Sequence, residues 1–198
     1  AALAQSLGIP TTSLDDAKWL DLTIDGADEF DPNLALIKGG GAALLQEKIV
    51  ATASDQMIVI ADAAKGVQQL GAFPLPIEVI PFGWQTTKAL VEETLVSLDV
   101  LNRDVTLRMN GDKPLLTDES NYILDLHLMR IGNPRQLAMV LNQIPGVVEN
   151  GLFIDICDIV VIGHGDGRVI VRDINAGSET DTRIEFAPSD NIFADLGD

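Results

Sequence analysis

Glu47 is the residue whose surroundings in the sequence best suit proton transfer. It falls within Ala42–Ala53, a run with the composition of a strong helix. In a helix, its neighbours three and four positions away are all apolar: Ala43, Leu44, Val50 and Ala51. Such neighbours withdraw water from the carboxylate, so we expect a pKa above the usual value of about 4.3 and a role as a general base. The alternative is a surface glutamate paired with Lys48.

A lysine and three glycines, Lys38-Gly39-Gly40-Gly41, come directly before that predicted helix. Glycines let backbone amides approach a ligand closely, and the start of a helix favours negative charge. Together with the charge of Lys38, this segment could hold a phosphate or stabilise an oxyanion that forms during a reaction. The spacing matches neither the Walker pattern nor GxGxxG, so it predicts no nucleotide site. A glycine-rich turn without a ligand is the alternative.

Two aspartates three residues apart, Asp25 and Asp28, enclose Gly26 and Ala27. Paired carboxylates can accept protons from sugar hydroxyl groups or bind a divalent metal ion. A calcium loop needs acidic residues at alternate positions and a glycine at the sixth, whereas the acids here stand at the first, fourth and seventh positions. The sequence therefore predicts no metal site, and the alternative to a sugar-binding role is a solvated acidic loop.

The elements that would position these residues follow the order of an α/β unit. Leu22–Ile24 and Met57–Ala61 are apolar runs typical of buried strands, and the helix of Ala42–Ala53 lies between them. This order predicts a parallel sheet. Ligands of such sheets bind at the carboxyl ends of the strands, where Asp25 and Asp62 lie.

The pattern changes after the rigid connector Phe73–Pro76. The order that follows, β-α-β-β-α-β, is typical of a ferredoxin-like α+β domain. Its predicted strands are Ile77–Ile80, Val105–Met109, Leu115–Leu116, Ile123–Leu128 and Val147–Val148, and its helices are Gln85–Leu98 and Pro134–Ile144. We place this domain at residues 73–151, inserted between residues 1–72 and 152–198 of the α/β domain. The acidic tail begins after about residue 173, and we expect Asn175–Asp198 to be mostly flexible.

The composition excludes several classes of partner. The chain has 30 acidic and 13 basic residues and a net charge of −17. A surface this acidic repels nucleic acid and the anionic leaflet of a membrane, so neither is an expected partner. No apolar stretch approaches the roughly 20 residues of a membrane span. The single cysteine, Cys157, permits no internal disulfide and fits a reducing compartment, which favours a cytoplasmic protein.

The three elements together are more specific than any one of them, and they carry a resemblance. The runs DGADE, IKGGGAAL and EKIVA resemble the signature of the type A ribose-5-phosphate isomerase family. Four further segments agree in the same order: ADAAK at Ala61–Lys65, FPLPIEVIP at Phe73–Pro81, YILDLH at Tyr122–His127 and IPGVVENGLF at Ile144–Phe153. The resemblance extends from roughly Gly8 to Val171.

This resemblance implies an aldose–ketose isomerase of the pentose phosphate pathway that interconverts D-ribose 5-phosphate and D-ribulose 5-phosphate without a metal or organic cofactor. It makes Glu47 the general base, while Asp25 and Asp28 bind the sugar hydroxyls and assist ring opening. It also makes Lys38 and the glycines after it the group that stabilises the enediolate, with Lys65 at the phosphate. The substrate-binding residues that it implies are Asp25, Gly26, Ala27, Asp28, Lys38, Gly39, Gly40, Gly41 and Lys65.

The resemblance further implies a Rossmann-like domain with an inserted ferredoxin-like domain, assembled as a homodimer or homotetramer. The family begins with a strand, a phosphate loop rich in Gly, Thr and Ser, and a helix, whereas Ala1–Leu7 aligns with a later helix. We expect that this amino-terminal part is omitted or truncated here. One alternative function is a non-catalytic sugar-phosphate sensor, against which the retention of Glu47 and Lys38 argues. Another is acyl or CoA transfer with Glu47 as nucleophile.

Overall fold

The structure is a computed structural model that describes residues 2–184 of the chain. Its helices are α1 (Ala2–Ser6), α2 (Leu14–Ala17), α3 (Leu44–Thr52), α4 (Trp84–Leu95) and α5 (Pro134–Leu141). Its strands are β1 (Thr23–Asp25), β2 (Glu29–Phe30), β3 (Leu36–Ile37), β4 (Met57–Asp62), β5 (Leu75–Val79), β6 (Asp104–Leu107), β7 (Met109–Asn110), β8 (Lys113–Pro114), β9 (Tyr122–His127), β10 (Val147–Asn150), β11 (Leu152–Phe153), β12 (Ile159–Gly163), β13 (Arg168–Asp173) and β14 (Ser178–Arg183). None of these helices is long and apolar enough to cross a membrane.

Isoleucine and valine dominate β4 and β12, and their branched side chains suit the half-buried surface of a pleated sheet. These two strands and β1 run parallel, and the complete sheet has the order β1-β4-β12-β13-β14. The predicted α/β arrangement with a parallel sheet is confirmed. Because β1 and β4 are parallel, with Asp25 opposite Val59, the loop after β1 and the 3₁₀ turn Ala63–Lys65 after β4 leave the same edge of the sheet.

The second sheet is antiparallel and has the strand order β10-β5-β9-β6. In chain order its elements are β5, α4, β6, β9, α5 and β10, which confirms the predicted ferredoxin-like succession. The predicted strand at Leu115–Leu116 is wrong. Those residues follow the hairpin of β7 and β8. The N–H of Leu115 still donates to the carbonyl of Arg108, but the N–H of Arg108 donates to Ile123 instead, so the ladder does not continue. The domain boundaries near residues 72 and 151 stay a prediction.

The expectation of a mostly flexible acidic tail is wrong for Ser178–Arg183, which form β14 and pair with β13 along its whole length. Two ion pairs cross these strands: Arg168 binds Asp181 and Arg172 binds Glu179, with N–O distances of 2.8 and 2.9 Å. The acidic residues of this segment therefore neutralise the basic side chains of β13. The rest of the predicted tail, residues 185–198, lies outside the described residues.

A small sheet, β2-β3-β11, joins the two hydrophobic cores. Successive side chains of a strand point to opposite faces. Accordingly, Leu36 packs into the core of the five-stranded sheet, whereas Ile37 packs into the core of the four-stranded sheet. Their partners on β11 alternate in the same way, with Phe153 in the first core and Leu152 in the second. The end of β3 is thus held from both sides, and the next residue is Lys38.

Candidate active site

Lys38 is a buried cation shared by two carboxylates. Its side chain is 3% exposed, and its backbone N–H donates to the carbonyl of Gly151 at 2.9 Å. Its Nζ donates to the carbonyl of Gly26 at 2.6 Å and lies 2.8 Å from Oδ2 of Asp25 and 3.4 Å from Oε2 of Glu47. Because water is largely excluded, the charge of this ammonium acts strongly on both carboxylates.

Glu47 occupies the first turn of α3, and its side chain is 27% exposed. Burial raises the pKa of Glu47, the ammonium of Lys38 opposes that rise, and the charge of Asp25 adds to it. The predicted upward shift of the pKa is therefore confirmed. Within residues 2–184, Oε2 of Glu47 meets the ammonium of Lys38 at 3.4 Å but accepts no hydrogen bond of good geometry. The alternative pairing with Lys48 is wrong, because Lys48 binds Glu149 instead.

The aspartates of the acidic loop are both anchored to the glycine-rich side of the site. Asp25 ends β1, where it contacts Lys38 and accepts a hydrogen bond from the N–H of Gly26 at 2.7 Å. Asp28 accepts a hydrogen bond from the N–H of Gly40 at 2.7 Å. Two carboxylates thus contact one ammonium, and the third, Asp28, lies in the same cleft. Such a set can bind hydroxyl groups while a base and a cation act on the carbon between them.

The glycine-rich loop is a tight turn rather than the start of the helix. The N–H of Ala42 donates to the carbonyl of Gly39 at 2.9 Å, and α3 begins only at Leu44, two residues later than predicted. Ala42 has a φ of +64°, a left-handed conformation that a continuous helix excludes. A Cβ added at Gly40 would lie 2.6 Å from Oδ1 of Asp28, so a larger residue there would displace that carboxylate.

A cleft of about 220 Å³ collects all of the predicted site residues except one. It is lined by Asp25, Gly26, Ala27, Asp28, Lys38, Gly39, Gly40, Gly41 and Glu47. Lys65 does not line it and ends the 3₁₀ turn after β4. A larger cleft of about 510 Å³ lies beside Phe30, Ile162 and Arg172 and contains none of these residues. The smaller cleft is the better candidate because it holds a half-buried glutamate beside a buried ammonium and two further carboxylates.

Three residues that support the site were missed from the sequence. Nζ of Lys48 donates to Oε1 of Glu149 at 2.9 Å, to the carbonyl of Asn150 at 2.6 Å and to that of Leu152 at 2.9 Å. The ring of Phe153 lies between Lys38 and Lys48, 5.4 and 4.9 Å from their Nζ atoms. No local spacing signals these contacts, because they join α3 to strands about a hundred residues away.

Arg108 is the third missed residue, and it reaches the site from the four-stranded sheet. Its Nη1 donates to the carbonyls of Gly39 and Gly40, both at 2.9 Å. Its other nitrogens bind the carboxylate of Asp125 on β9. The pairing of Thr106 with Asp125 across β6 and β9 places that carboxylate next to Arg108, but this register was not evident from the sequence.

Cys157, the one cysteine, is 5% exposed, and burial raises the pKa of its thiol to about 12. A thiol with so high a pKa carries almost no thiolate at neutral pH, so it is a poor nucleophile. Among residues 2–184, no group of three or more His, Cys, Asp and Glu side chains is arranged to hold a metal ion. The cleft itself is lined by carboxylates, a lysine, an alanine and the backbone of four glycines.

Known proteins resemble this chain over its whole length. Residues 1–167 match the family model described as ribose 5-phosphate isomerase A (phosphoriboisomerase A). Ribose-5-phosphate isomerase A of Ruegeria pomeroyi is 73% identical over 198 residues, 100% of this chain and 76% of that relative. A solved structure of D-ribose-5-phosphate isomerase in complex with phospho-erythronic acid is 40% identical, with a TM-score of 0.75 over 92% of this chain and 73% of that one. Ribose 5-phosphate isomerase from Plasmodium falciparum is 31% identical, with a TM-score of 0.76 over 93% and 74%.

Proposed function

The chain belongs to the ribose 5-phosphate isomerase A family and interconverts D-ribose 5-phosphate and D-ribulose 5-phosphate, and we propose that Glu47 is the base of this reaction. One observation carries the assignment. Nζ of Lys38 lies 3.4 Å from Oε2 of Glu47 and 2.8 Å from Oδ2 of Asp25, so a base, a cation and a second carboxylate meet in one cleft. An aldose–ketose isomerase needs this combination, because it must remove a proton from carbon and stabilise the resulting oxyanion.

In the proposed reaction, the carboxylate of Glu47 removes the proton from C2 of the open-chain aldose. The electron pair of that C–H bond forms the C1–C2 double bond, and the carbonyl pair moves onto O1 to give the enediolate. A proton passes from the C2 hydroxyl to O1, and protonated Glu47 then delivers its proton to C1, which leaves a carbonyl at C2. Asp25 and Asp28 bind the sugar hydroxyls and assist ring opening.

The charge of the enediolate would be stabilised by Lys38 and by the amides of the Gly39–Gly41 turn. Lys38 is suited to this role because its side chain is already buried, so no water must be removed when the oxyanion forms. The raised pKa of Glu47 suits a group that must both take and return a proton near neutral pH. No cofactor or metal ion enters any step of this proposal.

Lys65 is proposed to bind the substrate phosphate. It lies at the same edge of the sheet as Asp25 although it does not line the cleft, and a phosphate four carbons from C1 needs a cation beyond the reacting end. If this is right, Lys65→Ala raises KM for ribose 5-phosphate more than it lowers kcat, because the phosphate does not take part in the chemistry.

The alternative of a non-catalytic sugar-phosphate sensor receives no support, since the family and its similar relatives are isomerases by name. No observation favours acyl or CoA transfer either.

We also propose that the protein is a cytoplasmic homodimer or homotetramer that binds no nucleic acid. The resemblance supports the assembly, and the net charge of −17 supports the lack of nucleic-acid binding. Light scattering after gel filtration would test the assembly.

The test of the catalytic proposal is Glu47→Gln in the full-length protein, with Glu92→Gln on the exposed side of α4 as the matched control. We expect Glu47→Gln to lower kcat by about 10²–10⁴-fold, because the amide cannot accept the proton. Binding of ribose 5-phosphate, measured by calorimetry, should change little, and Glu92→Gln should behave as the wild type. Unchanged kcat in Glu47→Gln would overturn the proposal.

A further inference from the structure

Arg108 connects two parts of the fold that are far apart in the sequence. It lies between β6 and β7, where its backbone N–H donates to the carbonyl of Ile123 and its carbonyl accepts from the N–H of Leu115, both at 2.9 Å. Its side chain is 15% exposed and extends from the four-stranded sheet to the glycine-rich turn. The backbone of Arg108 is therefore fixed by main-chain hydrogen bonds, and its guanidinium is fixed by the glycine-rich turn.

The guanidinium binds three acceptors with its planar fork. Nε and Nη2 engage the two carboxylate oxygens of Asp125, which is also 15% exposed. Nη1 donates to the carbonyls of Gly39 and Gly40. The two-pronged contact with Asp125 fixes the plane of the guanidinium and hence the direction of Nη1. This geometry holds the two carbonyls against the guanidinium, which is not among the residues that line the cleft.

The orientation of those carbonyls determines where two active-site amides point. In a trans peptide the C=O and the following N–H point in opposite directions. Holding the carbonyl of Gly39 therefore directs the N–H of Gly40, which donates to Asp28 at 2.7 Å. Holding the carbonyl of Gly40 directs the N–H of Gly41 in the same manner, away from Arg108. Gly41 lines the cleft, and within residues 2–184 its N–H donates to no protein acceptor.

We propose that Arg108, held by Asp125, is a positioning residue that orients the amides of Gly40 and Gly41 for the reaction. The Gly40 amide fixes the carboxylate of Asp28, and the Gly41 amide is presented to an oxygen of the enediolate. The positive charge also polarises both peptide groups, which strengthens their N–H donors. This inference rests on the proposed function, because it assigns the amides a role in stabilising an oxyanion.

A positioning role predicts a loss in the chemical step rather than in substrate binding. We expect Arg108→Met to lower kcat by about 10- to 100-fold, less than the roughly 10²–10³-fold cost of removing an oxyanion donor, with a much smaller change in KM. Affinity for phospho-erythronic acid, whose carboxylate places negative charge at the reacting end, should fall more than affinity for ribose 5-phosphate. Arg135→Met is the matched control, because Arg135 pairs with Asp155 on the exposed surface and should show neither effect.

Arg108→Lys keeps the proposal testable if Arg108→Met does not fold. Lysine retains the charge, but a single ammonium cannot hold the Asp125 carboxylate and both carbonyls in one plane. We therefore expect kcat of Arg108→Lys to fall as well, by about 10-fold, with a melting temperature nearer that of the wild type. Wild-type kcat in Arg108→Lys, or an equal loss in Arg135→Met, would overturn the inference. If Glu47→Gln is inactive while both Arg108 variants keep full kcat, only this inference fails; an active Glu47→Gln removes the proposed function itself.

Discussion

The ammonium of Lys38 lies 3.4 Å from Oε2 of Glu47, and both groups are withdrawn from water, with side chains 3% and 27% exposed. Burial raises the pKa of Glu47, and the neighbouring ammonium offsets only part of that rise. The result is a carboxylate that holds a proton more readily than a solvated one, beside a cation that can stabilise an oxyanion.

Replacing Lys38 by methionine should move the acidic limb of the pH–rate profile to higher pH. The base must be deprotonated to act, so kcat/KM rises with pH through the pKa of Glu47. Lys38 lowers that pKa, and its removal lets burial and Asp25 raise it further. The pKa can be followed directly by ¹³C NMR of the labelled Glu47 carboxyl, which does not depend on residual activity. An unchanged or lower pKa would contradict the account.

Replacing Asp25 by asparagine should move the acidic limb of the pH–rate profile to lower pH. The negative charge of Asp25 raises the pKa of Glu47, so a neutral side chain of equal size lowers it. We expect kcat to fall as well, because Asp25 also binds Lys38 at 2.8 Å. The measurement is kcat/KM of Asp25→Asn against pH beside that of the wild type. A limb displaced to higher pH would show that Asp25 does not act on Glu47 through its charge.

Lys48→Met should destabilise the fold strongly, although Lys48 does not line the cleft. The substitution leaves Glu149 without the ammonium that it contacts at 2.9 Å, and both side chains are more than four-fifths buried. Breaking a buried ion pair on one side costs about 3–5 kcal/mol of the free energy of unfolding. Lys88→Met is the control, since its i,i+4 pair with Glu92 is more exposed and worth about 0.3–0.5 kcal/mol. Urea unfolding measures the free energy of unfolding of both variants. Equal losses would show that the buried pair is worth no more than the exposed one.

Gly151→Ala should destabilise the junction beneath Lys38. An added Cβ at Gly151 would lie 2.3 Å from the backbone carbonyl of Lys38 and 2.9 Å from Cδ of Pro76, and backbone atoms cannot move away cheaply. Such overpacking costs about 1–3 kcal/mol. Gly165→Ala is the control, because nothing lies within 4 Å of the corresponding position. Thermal unfolding would reveal the difference, and a wild-type melting temperature for Gly151→Ala would show that the junction is looser than described.

Most of the fold was predictable because its signals are local. The strands β1, β4, β5 and β9 and the helices α3, α4 and α5 follow apolar runs and turn residues in the sequence. Apolar runs do not signal what failed. β14 is polar throughout and pairs with β13, with Asp181 and Glu179 against its arginines, and the first turn of the predicted helix at Ala42 is replaced by a turn that the carbonyl of Gly39 closes.

The residues that line the candidate cleft were predictable from the sequence. Asp25 stands at a strand end, and Lys38 and Glu47 flank a glycine-rich turn, so strand–loop–helix topology alone brings them near one another. The supports were not predictable. Arg108 lies more than sixty residues from the turn that it holds, and its role depends on the register of β6 against β9. A single sequence contains no local pattern for such a contact.

The central claim is that Glu47 moves a proton between C1 and C2, and solvent exchange tests it most directly. Ribose 5-phosphate is incubated in D₂O with the full-length enzyme, and the C2 proton is followed by ¹H NMR. The wild type should incorporate deuterium during isomerisation, whereas Glu47→Gln should incorporate none although it still binds ribose 5-phosphate. Exchange at C2 by Glu47→Gln at the rate of the wild type would contradict the central claim.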